Sequence, residues 1–581
     1  MKKAVALLLA GCCLFGLAGC GGGEDTPDPE LPTREEQPLV GYDELGLEEI
    51  VPDYIDSTFF SENNDAVTYV ANALWDQFGL GTGGAVAKLG SNSSWLYWDA
   101  VKASWYAAGT IREEARNVLI GYPQREDGFL WSWGSSETWG GAGYNNNDPS
   151  YTPVYHYDQM FNYINAVKEY CAWENSTALL SEVDSDTAQT QQEVNGIQYN
   201  YDNSSQGRTV LQKTELALNY ILTELNGNNG LIIVDNGQNT GELGSGSSNY
   251  WDNLCFGYKD AYEGALFLGA LGSMADIYQM LGEEQKEADI RALLQRAQEQ
   301  YDETYWDAEK GRYISTVSQS GKEYDFGFTF LNTEALYYGA GDAEKAESIF
   351  SWIDGARIVE GDTLTGLDIL DTWNIAPASN TVPVESVKEM NEEGTRYVSW
   401  WHAPSGINVY TNSKYGLHCE NGGAIFYTAY FELMSRIKYG MEESALQRMI
   451  TISKEYAEDK LLRDPINSFG SAWVLGVIGE FPESGMVPVT YLRGFMGVNA
   501  EADGLHIVPN LPQAYKNMGA NDVYYAGKAL SINIVNDSRI EIVGSDDAEI
   551  TLPLIFSDFA GKGSYTCLLY TSPSPRDPKT S

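Results

Sequence analysis

The sequence predicts a mainly α-helical protein, an (α/α)6 toroid of helix hairpins followed by a small antiparallel β domain. From about residue 62 to residue 461, apolar residues recur at helical spacing in successive segments that pair through short connections. From residue 486 onward, apolar residues alternate with polar ones, which is the period of a half-buried strand. No exact repeat is visible, so the toroid is inferred from the regular alternation of helices alone.

Helices are expected over ten stretches of the chain. They are 64–78, 94–120, 154–173, 209–225, 260–281, 283–301, 328–338, 343–353, 423–439 and 442–461. These stretches give five clear hairpins, and a weaker sixth is placed within 382–415. Gly272 fits a close helix crossing, and Gly282 fits the left-handed residue that often ends a helix.

The N-terminus has the pattern of a bacterial lipoprotein signal. A short basic region is followed by the apolar residues 4–15 and by a lipobox that ends in Cys20. The apolar run is too short for a comfortable membrane span, so cleavage and lipidation of Cys20 are expected. Residues 1–20 are assigned to the signal peptide, and residues 21–60 to a flexible tether and lead-in. We therefore expect a protein of the bacterial cell envelope, anchored to the membrane by lipid, with its folded domains outside the cytoplasm.

Residues 61–485 are assigned to the helical domain and residues 486–566 to the C-terminal β domain. Strands are expected at 505–508, 523–525, 530–534 and 540–542, with turns at 503–504 and 536–537. Residues 567–581 show neither strand alternation nor helical period, and they resemble translated sequencing-adaptor read-through. They are set aside from the fold as a non-native-looking tail.

Charge and cysteine usage exclude several classes of partner. The chain has 36 basic and 82 acidic residues, a net charge of −46, which repels nucleic acid and anionic lipid headgroups. A neutral partner fits better, with membrane contact only through the lipid anchor. Cys171, Cys255 and Cys419 are odd in number and lack metal-binding spacing. Neither a metal nor a cofactor is predicted, and the oligomeric state stays open.

Three connections are far longer than ordinary helix loops, and loops of that length in a compact domain are usually functional. They span 122–153, 226–258 and 355–422, and the shorter segment 324–328 has a similar composition. Within these segments or directly after them lie the residues predicted to bind substrate: Trp133, Trp139, Trp251, Lys259, Asp260, Tyr324, Asp325, Trp400, Trp401 and His402. Aromatic faces stack on pyranose rings, and carboxylates hold sugar hydroxyls, so this composition indicates one shared cleft for a neutral oligo- or polysaccharide.

The pair Trp251 and Asp252 is the most specific of these features. A carboxyl group beside an indole is desolvated, which raises its pKa toward that of a general acid. The alternative is that Asp252 only caps a helix and that Trp251 belongs to the core.

Three segments resemble the six-hairpin glycosidases. Trp251-Asp252-Asn253 before a Lys-Asp-Ala-Tyr helix resembles the acid-bearing segment of (α/α)6-barrel enzymes, including trehalase-like and mannosyl-oligosaccharide-glucosidase-like members. Glu420-Asn421-Gly422-Gly423 is similar to a segment of cellobiose phosphorylase and its relatives, and 504–512 resembles the C-terminal β domain of several such families. The likeness covers roughly residues 60–545. The large N-terminal β-sandwich of the phosphorylases has no room before the first helix.

This resemblance implies an inverting glycoside hydrolase with two catalytic carboxyl groups. Asp252 is assigned as the general acid and Glu420 as the base that activates water, with their carboxyl groups about 6.5 to 9.5 Å apart. Glu137, Asp325 and Asp371 are the substitutes for the base, and the alternative for Glu420 is a helix cap. Two other functions stay open, namely a glycoside phosphorylase of the same fold and a non-catalytic carbohydrate-binding lipoprotein.

Overall fold

The computed structural model describes residues 36–47, 58–63, 65–79, 95–130, 144–145, 156–185, 191–194, 197–200, 204–237, 239–242, 247–251, 256–325, 327–356, 426–461, 485–544, 554–555 and 566–571. They belong to one compact unit, Glu36–Ser581. Its α-helices are α1 (Ala66–Leu74), α2 (Trp95–Ala103), α3 (Ile111–Gly121), α4 (Asp158–Glu174), α5 (Val210–Thr223), α6 (Ala261–Leu281), α7 (Glu284–Tyr305), α8 (Thr329–Tyr338), α9 (Ala343–Ser351), α10 (Thr428–Lys438) and α11 (Glu442–Asp459). A π-helical turn lies at Tyr491–Phe495. The helix pair expected within 382–415 lies outside the described residues.

The helices alternate between an inner and an outer layer. The inner helices α2, α4, α6, α8 and α10 pack side by side in that order, and the turn Tyr491–Phe495 packs on α10. Outer helices pack behind them, with α5 on α4, α7 on α6 and α11 on α10. Helix α11 also packs on α1, so the last described outer helix lies beside the first. The prediction of a mainly helical fold is confirmed.

The pair α6 and α7 shows how the sequence creates the two layers. Helix α6 is buried around almost its whole circumference, whereas α7 buries only a stripe that includes Ile290, Leu293 and Ala297. Gly282 ends α6 at a φ of 71°, as predicted. The close crossing predicted at Gly272 is wrong, because a Cβ added there would meet no atom within 4 Å. Gly269 fills that role, since its Cβ would lie 2.4 Å from the Tyr338 ring.

The single helix predicted over 94–120 is also wrong. The chain forms α2 and α3 instead, and residues 104–110 separate them. Gly109 has a φ of 78°, which no right-handed helix accommodates. The Ala107 amide donates to the Asp522 carbonyl, and Tyr106 bridges to Val523, so the break makes room for a contact with the β domain.

Most of the C-terminal domain is a five-stranded sheet, in the order β1 (Phe59–Ser61), β12 (Met518–Tyr525), β13 (Lys528–Val535), β14 (Arg539–Gly544) and β16 (Thr566–Thr571). Strands β12 (Met518–Tyr525), β13 (Lys528–Val535) and β14 (Arg539–Gly544) pair antiparallel through two short turns. The predicted turn at 536–537 is confirmed, with both residues at positive φ. The predicted turn at 503–504 is confirmed as well, since it joins β10 (Val498–Glu501) to β11 (Gly504–Ile507). The sheet packs at the C-terminal end of α4, where the Ala526 amide donates to the Trp173 carbonyl at 2.9 Å.

Two strands of this sheet come from segments that the sequence prediction assigned elsewhere. Strand β1 (Phe59–Ser61), within the expected lead-in, pairs antiparallel with β12. Strand β16 (Thr566–Thr571), five of whose residues fall in the tail that was set aside, pairs in parallel with β14. The sheet is therefore not wholly antiparallel, and in this structure residues 567–571 pair with it, whereas the sequence analysis set them aside.

The other described strands are short. They are β2 (Tyr144–Asn145), β3 (Gln191–Val194), β4 (Ile197–Asn200), β5 (Lys259–Asp260), β6 (Trp306–Asp307), β7 (Arg312–Tyr313), β8 (Thr316–Val317), β9 (Glu323–Tyr324) and β15 (Leu554–Ile555). Strand β5 directly precedes α6 and pairs with β8, which pairs in turn with β9. Within the described ranges no helix has both the length and the apolar character that crossing a bilayer requires.

Candidate functional site

The starts of the inner helices meet at one place, and each predicted loop leads into one of them. Loop 122–153 precedes α4, loop 226–258 precedes α6, segment 324–328 precedes α8, and loop 355–422 precedes α10. The amide of Tyr157, at the start of α4, donates to the Ser248 carbonyl at 2.8 Å. The Trp251 ring stacks on Phe330, the second residue of α8. The start of α4, the start of α8 and the described residues before α6 therefore lie at the same end of the inner helices.

Aromatic rings line this meeting point. Trp251 lies 3.6 Å from Phe330 between ring centroids and 6.3 Å from Tyr427, stacked on both. Tyr427 in turn lies 4.2 Å from Trp98 of α2. Trp251 is fully buried, so in this structure its ring has no exposed face to offer a sugar. Its placement is that of a core residue supporting the site, which was the alternative interpretation of the sequence.

Four titratable side chains form a second group here, which we call the axial cluster: Asp158 of α4, Tyr262 and Glu263 of α6, and Glu334 of α8. All four are buried. Burial raises the pKa of Glu263 well above its ordinary value, and the negative charges of Asp260 and Asp158 raise it further. Burial also raises the pKa of Glu334, with a further contribution from Asp158 and an opposing one from Tyr262. Both glutamates are therefore driven toward the protonated form.

The oxygens of these two glutamates lack ordinary hydrogen bonds. Among the described residues, neither carboxyl group of Glu263 or Glu334 has a partner of normal geometry. The Tyr157 backbone approaches Glu263, and the Tyr262 hydroxyl approaches Glu334. The indole N–H of Trp251 lacks an ordinary partner as well. The great majority of buried polar atoms in proteins have a hydrogen-bond partner. Three buried groups without an ordinary partner in one place therefore indicate that a bound molecule would supply the missing donors and acceptors.

Asp260, predicted to bind substrate, caps α6 instead. Its Oδ1 accepts from the amides of Tyr262 at 2.9 Å and Glu263 at 3.1 Å. Its Oδ2 accepts from the Ser248 hydroxyl at 2.6 Å and from the Asn249 side-chain amide at 2.8 Å. Burial raises its pKa to about 6, although all of these contacts lower it. Asp260 thus binds the protein's own groups through both oxygens.

Three further predicted residues lie on β5 and the β8–β9 hairpin. The Tyr324 hydroxyl donates to Glu242 at 2.9 Å. Asp325 is paired with Arg312 at 2.8 Å and with Lys310 at 2.9 Å, which ties it to the protein's own cations. Lys259 is half-buried, and its backbone pairs with Val317. Substrate contacts by these residues stay predictions.

The remaining predicted site residues lie outside the described residues. They are the proposed acid Asp252 and base Glu420, the substitutes Glu137 and Asp371, the rings of Trp133, Trp139, Trp400 and Trp401, and His402 and Cys20. The residues on either side of the segment that carries Asp252 are described. They are Trp251 and Phe256, and both are fully buried. In the described ranges no group of three or more His, Cys, Asp or Glu side chains has an arrangement that could hold a metal ion.

The sequence analysis missed Glu263 and Glu334. A signal for them was present, because each glutamate is the one charged residue of a long stretch around an inner helix, 261–275 for Glu263 and 326–341 for Glu334. A charged residue in a helix that is apolar on all sides cannot reach water and indicates a buried site.

Comparison with known proteins gives similarity of structure only. Neither a protein-family model nor a curated protein matches the chain. A GH78 family rhamnosidase of a Bacillus species is 12% identical, with a TM-score of 0.49, over 89% of this chain and 44% of that one. A putative kojibiose phosphorylase from the human microbiome is 9% identical, with a TM-score of 0.40, over 86% of this chain and 61% of that one.

A GH63 mannosylglycerate hydrolase from Thermus thermophilus, in complex with glucose, is 11% identical, with a TM-score of 0.35, over 69% of this chain and 92% of that one. The chain thus spans less than half the length of the GH78 rhamnosidase. These proteins are distantly similar to it in structure.

Proposed function

We propose that this protein is an inverting glycoside hydrolase acting on neutral oligo- or polysaccharides, built on an (α/α)6 toroid and anchored by lipid at Cys20 outside the cytoplasm. The observation that carries the proposal is the axial cluster beside the aromatic rings, near the starts of the inner helices that the predicted loops precede. Protonated carboxyl groups both donate and accept hydrogen bonds, so they suit the hydroxyl groups of a sugar. The aromatic surroundings exclude water, which favours the protonated form of these carboxyl groups.

The catalytic carboxyl groups in this proposal are Asp252 and Glu420. Asp252 follows Trp251 directly in the chain, and successive Cα atoms are about 3.8 Å apart, which ties it to the aromatic side of the site. A carboxyl group kept in apolar surroundings retains its proton and can deliver it to the leaving oxygen. Glu420, six residues before the fully buried Phe426 at the entry to α10, would activate water on the opposite face of the sugar.

An activity screen tests the proposal. The protein without residues 1–20 is incubated with aryl glycosides and neutral oligosaccharides, and the anomer first released is followed by proton NMR. Inversion is expected. Asp252→Asn should abolish turnover of substrates with poor leaving groups while sparing binding, because only the proton donor is removed. Glu420→Gln should be equally damaging but recover with azide, which needs no general base.

The same screen separates the other functions. Turnover that requires inorganic phosphate and yields a sugar phosphate would make the protein a phosphorylase. Binding of oligosaccharides without any turnover would make it a carbohydrate-binding lipoprotein. Near-normal hydrolysis by Glu420→Gln would show that Glu420 is not the base, and Asp325 and Asp371 would then be tested in its place.

A further inference from the structure

The contacts of Asp260 go beyond those of a helix cap. An N-cap carboxylate needs one oxygen to accept from the first free amides, and Oδ1 does this toward Tyr262 and Glu263. Oδ2 makes two further contacts, to Ser248 and Asn249, in the segment that precedes the helix. The side chain is fully buried, so the four donors around it leave no room for a substrate group. Folding of α6 alone does not explain the Oδ2 pair.

That pair leads to Trp251 through one more hydrogen bond. Asn249 donates to Asp260 with its Nδ2 and accepts the Trp251 amide with its Oδ1 at 2.9 Å. Ser248 donates to Asp260 with its hydroxyl and accepts the Tyr157 amide with its carbonyl. One carboxylate therefore joins the start of α6, the start of α4 and the backbone of Trp251.

We propose that Asp260 is a positioning residue, which in its ionised form clamps residues 247–251 against the start of α6 and so sets the place of Trp251 and of the next residue, Asp252. For its effect on activity this inference rests on the proposed function. Asp260 touches no reacting atom in this scheme. It acts through Ser248 and Asn249, whose donor groups need an acceptor at Oδ2.

Ionisation of Asp260 makes the clamp sensitive to pH. Its pKa, raised by burial to about 6, means that both oxygens accept above that pH, whereas below it a proton occupies one acceptor position. The titratable groups facing it are Glu263 on its own helix and Tyr301 and Tyr305 on α7. Burial raises the pKa of all three, so they stay neutral around that pH.

The effect of Asp260 on the global free energy of unfolding should change with pH in the opposite direction to its effect on the clamp. A carboxyl group whose folded pKa lies above its unfolded value of about 3.9 lowers stability as the pH rises between the two values. Acidification through pH 6 therefore does not unfold the protein through this group. The clamp predicts a local loosening at acid pH without a fall in thermal stability attributable to Asp260.

Hydrogen exchange of the full chain, followed by mass spectrometry, measures the clamp directly. Asp260→Asn should raise the exchange rate of the 247–251 amides by about tenfold or more, the factor expected for loss of a charged hydrogen bond. The double variant Asn249→Asp/Asp260→Asn exchanges the donor and acceptor of their contact and should restore slow exchange. Asp342→Asn is the matched control, because Asp342 caps the outer helix α9 by accepting from the Lys345 amide. It should leave residues 247–251 unchanged.

Activity provides the second readout. Asp260→Asn should lower kcat more than it changes KM. It should also remove the part of the fall in activity near pH 6 that protonation of Asp260 causes. The double variant should recover kcat. If the variant fails to fold, wild-type exchange serves instead. Corrected for the intrinsic rate, exchange of residues 247–251 should rise as the pH falls below about 6. Unchanged exchange in both experiments would overturn the clamp. Absence of any glycosidase activity would overturn the proposed function and leave the exchange test intact.

Discussion

Replacement of Glu334 by glutamine tests whether the axial cluster keeps its protons at neutral pH. Glu334 is fully buried, and burial raises its pKa well above the ordinary value of 4.5. Glutamine has almost the same shape as a protonated glutamic acid and fills the same space. The substitution therefore removes the titration of this site without opening a cavity.

The magnitude follows from linkage. In the unfolded chain Glu334 ionises near pH 4.3, whereas the folded protein holds the proton to a higher pH. Wherever the unfolded state has lost the proton and the folded state has not, the free energy of unfolding falls by about 1.4 kcal/mol per pH unit. Glutamine does not titrate. The stability of Glu334→Gln relative to wild type should thus increase by that amount per pH unit, starting from acid pH.

Thermal unfolding of both proteins in buffers from about pH 5 to pH 7 measures this difference. Glu432→Gln is the control, because Glu432 is a largely buried glutamate on an inner helix whose titration has the opposite sign. Burial raises its pKa, but the charges of Arg448 and Arg436 outweigh burial and lower it. Glu432 therefore stabilises the fold above its unfolded pKa, and this stabilisation is lost as the pH falls. Its variant should be less stable than wild type by a nearly constant amount between pH 5 and pH 7, and should approach wild type only below the unfolded pKa of about 4.3.

Parallel stability curves for wild type and Glu334→Gln across this range would refute the reasoning. They would mean that Glu334 titrates as it does in the unfolded chain, despite its burial. The axial cluster would then be ionised at neutral pH, and it could not offer hydrogen-bond donors to a sugar.

Two further substitutions test the packing around the site. Phe330→Ala removes the ring stacked on Trp251, so it should cost about 3 to 5 kcal/mol in chemical unfolding and lower kcat by displacing the start of the Asp252 segment. Arg436→Met removes a buried cation that binds Asp354 at 2.6 and 2.7 Å, just before loop 355–422. It should lower the free energy of unfolding by about 3 kcal/mol or more and speed proteolysis of that loop.

The sequence predicted well those helices and strands whose own pattern of apolar residues shows which of their sides is buried. Helix α6 was expected over 260–281 and forms at Ala261–Leu281, because its capping aspartate and terminal glycine are local signals. Residues 94–120 have a helical pattern of apolar residues throughout, so the sequence does not show the break that the structure needs there for contact with the β domain. Strand β1 has three residues, too few to show alternation, and its partner β12 lies far along the chain. Tertiary pairing of this kind leaves no local pattern.

The site was predictable in location but less so in composition. Long loops and their aromatic residues indicated which helix starts form the site, and the starts of α4, α8 and α10 do contact residues 247–251. Glu263 and Glu334 lie in regular helices, where unusual loop composition gives no signal. The sequence predicted that Asp260 binds substrate, because a carboxylate after a Trp-Asp pair fits sugar binding. Only the side-chain positions of Ser248 and Asn249 show that its oxygens are already used.

The position of Trp251 changes the physical reason for assigning Asp252 as the acid. The sequence argument let one indole do two things, stacking on the sugar and desolvating the neighbouring carboxyl group. Phe330 covers that ring, so stacking by Trp251 is not available in this structure. Desolvation does not need an exposed ring face, since a buried apolar neighbour lowers the local dielectric equally well. The proposed acid role of Asp252 therefore depends on how firmly residues 247–251 are held beside the aromatic rings, and in our proposal Asp260 is the group that holds them.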